Sequence, residues 1–122
     1  MELLEKELTE KIIGVCLEIS NEVGAGFLES VYQKATLLAL QQDGLDARAQ
    51  VPLEVCFRGS VVGEFFADIL VEGRVILELK ASRSLLPEHE AQLMNYLRAT
   101  GIRVGLLINF GKPRMEWRRI VF

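Results

Sequence analysis

Three charged residues stand inside apolar runs between Phe65 and Lys80, and they constrain the fold more than any other feature. The run Phe65-Phe66-Ala67-Asp68-Ile69-Leu70-Val71 is followed by Glu72-Gly73-Arg74, then by Val75-Ile76-Leu77-Glu78-Leu79-Lys80. This pattern predicts two apolar strands joined by a tight turn. A carboxylate inside such a strand is costly unless it is paired or holds a metal. Side chains alternate faces along a strand, so Glu78 and Lys80 share one face with Ile76. Asp68 joins them only in one register. A two-residue loop at Glu72-Gly73 places Asp68 opposite Leu77, whereas a three-residue loop or a glycine bulge places it opposite Glu78. Gly73 can take the positive φ that such a bulge needs. An odd-length loop or an equivalent bulge is therefore the expectation if the two acids are to share a cation.

The chemistry is coherent in that register. Mg2+ prefers hard oxygen ligands and keeps several waters. Asp68, Glu78 and the Leu79 carbonyl supply such ligands. The ion lowers the pKa of a bound water and neutralises charge developing on a phosphate. Lys80 is placed to orient that water or to stabilise the transition state. The alternative is an ion pair between Lys80 and a carboxylate at the solvated end of a strand.

At 122 residues, half of them hydrophobic, the chain suits a single domain over 1–122 with a real core. No apolar run approaches the roughly 20 residues that span a bilayer. The acidic start Met1-Glu2-Leu3-Leu4-Glu5-Lys6 lacks a signal-peptide core, so a soluble, cytoplasmic protein with no membrane partner is expected. Cys16 and Cys56 lack metal-ligand spacing and read as buried inert thiols. A lone histidine builds no zinc site without cysteines nearby. The net charge of −3 argues against a general nucleic-acid binder. Its distribution is uneven. Residues 1–30 hold seven acids and two bases. Residues 98–122 carry Arg98, Arg103, Lys112, Arg114, Arg118 and Arg119 against Glu116 alone. That basic C-terminal region offers either a phosphate-binding surface or a plain solvated face.

Periodicity predicts a first helix from about Glu2 to Val23, with Leu4, Leu8, Ile12, Cys16, Ile19 and Val23 on its apolar face. Gly24-Ala25-Gly26 breaks it. A second helix is predicted from about Phe27 to Gln42, with Leu28, Val31, Ala35, Leu38 and Ala39 inward, ending at Asp43-Gly44. Strands are expected over Val51–Phe57, Gly63–Val71 and Arg74–Lys80. Pro52 marks the first as an edge strand, and weak alternation in the other two predicts cover on both faces. A third helix opens near Pro87 and ends at Thr100-Gly101. The stretch 103–110 reads as a buried strand, parallel to a central one because a helical crossover precedes it. Met115 to Phe122 forms the last strand. The order ααβββαββ gives a mixed α+β (α/β) sandwich.

Two more motifs sharpen the reading. Gly26-Phe27-Leu28-Glu29-Ser30-Val31-Tyr32 has the form G-x-x-E-x-x-Y at the head of a helix, and Gln92 and Tyr96 lie at i, i+4 on one helical face. Together with Asp68 and Glu78-x-Lys80, they resemble the GxxExxY protein family, assigned to the PD-(D/E)xK nuclease-like superfamily. The resemblance runs from Glu7 to Gly111. It implies a restriction-endonuclease-like core, a central mixed β-sheet flanked by helices. It also implies that Asp68 and Glu78 bind metal, that Lys80 is the catalytic lysine, that Glu29 completes the metal shell directly or through water, and that Gln92 faces the site. Tyr32 and Tyr96 read as core packing with a satisfied hydroxyl. Ser20 and Ala25 stand where many relatives carry His and Pro. His89, one turn before Gln92, reads as a surface residue or a contributor to the site.

Three functions compete. The first is a Mg2+- or Mn2+-dependent phosphodiesterase, a nuclease acting on DNA or RNA. The second is a catalytically silent nuclease-like module that binds nucleic acid or a protein partner. In the third, the charges are only a buried ion-pair network. Exposed edge strands leave a homodimer open.

Overall fold

Helices α1 (Lys6–Val23) and α2 (Glu29–Gln42) precede strands β1 (Ala47–Phe57), β2 (Ser60–Val71) and β3 (Val75–Lys80), then helix α3 (Pro87–Thr100) and strands β4 (Val104–Asn109) and β5 (Glu116–Val121). The structure, a computed structural model, describes residues 3–122. Glu2, where the sequence pattern begins the first helix, lies outside the described residues. The helix itself starts later than expected, because Glu5 takes a left-handed φ of 53° and halts it there.

The five strands form one mixed sheet in the order β1-β2-β3-β4-β5. Only β3 and β4 run parallel, joined through α3 as the crossover requires. Every residue of β4 is buried, as the unbroken apolar run implies. β1, with Pro52, lies on an edge as predicted.

Helices α1 and α2 cover one face of the sheet, packing Ile12, Cys16, Ile19, Tyr32 and Leu40 against Ile69, Leu77, Leu79, Leu106 and Ile108. Helix α3 covers the other, packing Leu93, Tyr96 and Leu97 against Ile76, Leu107 and Ala67. Gly105 lets α3 sit close, since a Cβ there would meet the Leu93 side chain at 2.8 Å.

Three expectations need correction. Helix α2 buries Tyr32, Thr36 and Leu40, not the expected stripe. Leu28 is 78% exposed and Leu38 57%, while Ala35 and Ala39 only flank the core. Tyr32 wins the inward position because its polar end is satisfied there. Its hydroxyl donates to the Gly24 carbonyl at 2.6 Å and accepts from the Phe27 N–H at 3.2 Å, while its ring stacks on Phe110.

The second correction concerns β2, which is not covered on both faces. Its ladder with β3 reaches only the Ile69–Leu77 pair, whereas its ladder with β1 continues to Ser60–Phe57. The first half of β2 and the second half of β1 thus project as a two-stranded arm with Phe57, Val61, Val62, Phe65 and Phe66 exposed. The third concerns Cys56, which lies exposed on this arm; only Cys16 is buried, and burial pushes its thiol up to about 12.

Candidate metal and phosphoryl-transfer site

The loop between β2 and β3 has three residues, Glu72, Gly73 and Arg74, with positive φ at Glu72 and Gly73. Val71 pairs with Val75, Leu70 with Ile76 and Ile69 with Leu77. Continued by one residue, this register sets Asp68 against Glu78, as the odd-length loop requires.

The two strands part just there, and the acids occupy the fork. With no ladder partner from β2, the Leu79 N–H donates instead to Asp68 Oδ2 at 2.8 Å. The Asp68 N–H in turn approaches Glu78 Oε1 at 3.3 Å. A strand residue sends its N–H and C=O out along the same edge. The Leu79 carbonyl therefore faces the Asp68 side as well.

The fork has a second cause on the β1 side. Ala67 packs in the α3 layer, yet Ile69, two residues on, packs in the α1–α2 layer. Alternation breaks between them, at Asp68. Opposite the break Gln50 takes a φ of 52°, and the ladder passes from Ala49–Ile69 to Val51–Ala67. An irregularity of this kind re-aims side chains beside it.

Glu78 is buried, and the desolvation lifts its carboxyl from 4.5 to about 8; the neighbouring Asp68 carboxyl adds to the rise by charge and hydrogen bonding. Lys80 pulls the value back, so it stands within electrostatic reach. It makes no ion pair, however. Among the described residues the ion pairs within 4.0 Å are Arg48–Asp46, Arg74–Glu5, Lys112–Glu116 and Arg118–Glu90. A closed ionic network is thus not what holds the acids.

Glu29 opens α2 at its N-terminus. Burial raises its carboxyl above the ordinary range, Lys80 lowers it, Asp68 raises it and His89 lowers it, so all three stand near. Glu29 does not close on the pair: the described residues contain no group of three or more His, Cys, Asp or Glu side chains positioned to hold a metal ion. Gln92 is exposed, and its Nε2 donates to the Tyr96 hydroxyl at 3.0 Å. Burial, then the charges of Glu78 and Asp68, push the Tyr96 hydroxyl up, while the Gln92 hydrogen bond holds it down. Tyr96 therefore looks onto the acidic pair as well as packing in the core. His89 Nδ1 accepts from the Leu86 N–H at 3.1 Å and so caps α3.

Two supporting residues had no place in the sequence reading. Gln33 Nε2 donates to the Asp68 carbonyl at 3.1 Å and ties α2 to the break in β2. Asn109 pairs with Lys80 across β3 and β4. Its fully buried amide accepts from the N–H groups of Ser82 and Gly111 and donates to the Ser82 carbonyl and to Glu116. An amide ending a wholly apolar strand was the available signal for Asn109. Nothing local marked Gln33.

Of the basic C-terminal residues, Arg118 and Arg119 turn to opposite faces of the sheet. Arg118 turns to Glu90 on α3, while Arg119 donates to Thr9 Oγ1 on α1 and to the Leu4 carbonyl. Arg103 donates to the Phe122 carbonyl at 3.0 Å. Lys112 and Arg114 sit in the β4–β5 loop, where Lys112 pairs with Glu116 at 3.6 Å.

A family model described as the PD-(D/E)XK nuclease superfamily matches residues 6–120. The chain is similar to a solved structure titled "Crystal structure of SSO0001", with 23% identity and a TM-score of 0.63 over 96% of this chain and 58% of that one. At that identity the likeness concerns the fold, and the chain spans little more than half the length of that protein. No curated protein matches significantly.

Proposed function

The chain belongs to the PD-(D/E)XK nuclease superfamily, and on that premise we propose that it is a divalent-metal-dependent phosphodiesterase acting on DNA or RNA. One observation carries the reading: Asp68 and Glu78 are held together at a strand fork, no basic side chain among the described residues pairs with either, and burial pushes Glu78 toward its protonated form. Structural charges are ordinarily paired; two acids pressed together and left unpaired suit a cation.

The donor set fits Mg2+ or Mn2+. The donors are hard oxygens, two carboxylates and the Leu79 carbonyl, with no thiolate or imidazole among them. When bound, the ion would neutralise charge on the phosphate and acidify a water. Lys80, on the same face of β3 as Glu78, is the catalytic lysine. Its ammonium steadies the nonbridging phosphate oxygens and orients the attacking water. Glu29 acts from the α2 terminus through water. Gln92 acts through Tyr96: because its amide donates to the Tyr96 oxygen, the hydroxyl proton is left free to turn toward the carboxylates.

The finer assignment, to the GxxExxY family, is supported by the roles its motif residues take. Tyr32 fastens the loop that precedes α2, and Glu29 at the head of that helix stands within electrostatic reach of Lys80 and Asp68. A cytoplasmic location suits two unpaired cysteines. No helix among the described residues is long and apolar enough to cross a membrane.

The test combines metal binding with cleavage. Mn2+ should raise the Tm of the wild type and not of Asp68→Ala, because a ligand of the native state stabilises it. Metal-dependent cleavage of single- or double-stranded DNA or RNA should vanish in Asp68→Ala and in Lys80→Ala, both still folded. Cleavage surviving both substitutions, or a Tm indifferent to metal, would count against the proposal; the latter would favour the silent binding module.

A further inference from the structure

The projecting arm and α3 enclose a cleft of about 630 Å³ that the proposed chemistry leaves unused. Val55, Val62 and Phe65 make an apolar wall, while Glu54, Asn95 and Arg98 are the polar residues that line the cleft, the Arg98 guanidinium also lying 5.9 Å from the centre of the Phe122 ring. The cleft shares a wall with the candidate site. Phe65 lies three residues before Asp68, and its ring meets that of Tyr96 with centroids 5.7 Å apart. The Tyr96 hydroxyl in turn lies within electrostatic reach of Glu78 and Asp68.

We infer that this cleft receives an unpaired nucleobase next to the cleaved phosphate, so that the substrate is single-stranded at that point. The inference rests on the nuclease reading above and narrows its substrate. A nucleobase has a flat apolar face and an edge of donors and acceptors. The cleft offers an aromatic ring for the first, and an amide, a guanidinium and a carboxylate for the second. The volume lies within the roughly 300–1,000 Å³ of ordinary small-ligand clefts. A base still paired in a duplex keeps its edge engaged and its faces stacked, and presents neither to such a pocket. Phe65 remains partly exposed beside the cleft, which suits a stacking platform better than a core residue. Base stacking is indifferent to the sugar, so DNA and RNA single strands share this chemistry.

Fluorescence anisotropy of the full chain carrying Asp68→Asn, without divalent metal, gives the test. The probes are fluorescein-labelled single-stranded DNA, single-stranded RNA and blunt duplex DNA, each about 12 nucleotides long to match ordinary single-strand site sizes. One or both single strands should bind on the order of tenfold more tightly than the duplex, and Phe65→Ala should remove on the order of tenfold of that affinity, the weight of one stacking contact. Arg98→Ala, at an exposed position, should weaken the same complex and carries the test if Phe65→Ala melts early. Bound single strand should also shield Cys56, which lines the cleft, from alkylation, while Cys16 stays buried throughout. Equal or tighter duplex binding, no binding at all, unchanged affinity in both variants, or unshielded Cys56 would each overturn the inference. Cleavage that proceeds with none of these effects leaves the nuclease standing and the cleft refuted. Single-strand binding without metal-dependent cleavage does the reverse.

Discussion

Glu78→Gln should stabilise the metal-free protein above neutral pH, although it deletes a proposed ligand. The Glu78 carboxyl holds its proton more tightly folded than unfolded, with a value of about 8 against an ordinary 4.5. Between those values the folded state binds more protons than the unfolded one, so stability falls as pH rises. The stabilising contribution is fully present below about pH 4.5, declines through neutrality and is lost above about pH 8. Each pH unit in that window is worth about 1.4 kcal/mol, so the full loss is on the order of 3–5 kcal/mol. For a domain of this size that is a Tm change on the order of 10–20 °C. Glutamine keeps the shape of the protonated acid and cannot ionise. Thermal unfolding followed by circular dichroism in excess chelator, from pH 5 to 9, should show the wild type falling progressively below Glu78→Gln. Taking the difference between the two proteins removes the other titrating groups, among them Glu29, whose raised carboxyl acts in the same direction, and Glu116, whose lowered carboxyl acts in the opposite one. Parallel curves across the window would show that Glu78 ionises as an ordinary carboxyl and would refute the claim of an uncompensated acidic pair.

Other predictions concern the supports of the site. Gly111→Ala puts a Cβ 2.2 Å from the Ser82 carbonyl oxygen and 2.3 Å from its nitrogen, so backbone must move directly after Lys80. It should cost about 1–3 kcal/mol, read from urea unfolding, and should lower cleavage beyond what lost folded fraction explains; unchanged stability would contradict the close approach. Tyr32→Phe keeps the ring on Phe110 but removes both hydroxyl contacts to the loop before Glu29, and should cost about 1–2 kcal/mol. Amide exchange at Phe27 should speed up in that variant, and an unaltered rate would deny the hydroxyl its role.

Much of the arrangement was legible from local pattern. The unbroken apolar run of β4 announced a covered central strand, and Pro87 and Gly101 marked the neighbourhood of the two ends of α3. The face of α2 was not legible, because two stripes fit helical spacing. Leu28, Val31 and Leu38 make one and Tyr32, Thr36 and Leu40 the other. Hydrophobicity alone favoured the first. The choice depended on Gly24, Phe27 and Phe110, which give Tyr32 its partners only in the folded chain. Cys56 was misplaced for a related reason: an apolar strand pattern does not reveal that β3 stops short and leaves the arm bare.

Covalent geometry determined that Glu78 and Lys80 share a face, but it left two registers open for Asp68, and only the folded three-residue loop Glu72-Gly73-Arg74 set it level with Glu78. The shared face follows from alternation along the chain and needs no knowledge of distant segments. That the strands part at Asp68, that Gln33 and Asn109 brace the site, and that Glu78 loses its water were decided only when helices from both faces closed on the sheet. Burial and charge pairing depend on which surfaces meet, and residues far apart in the chain supply those surfaces.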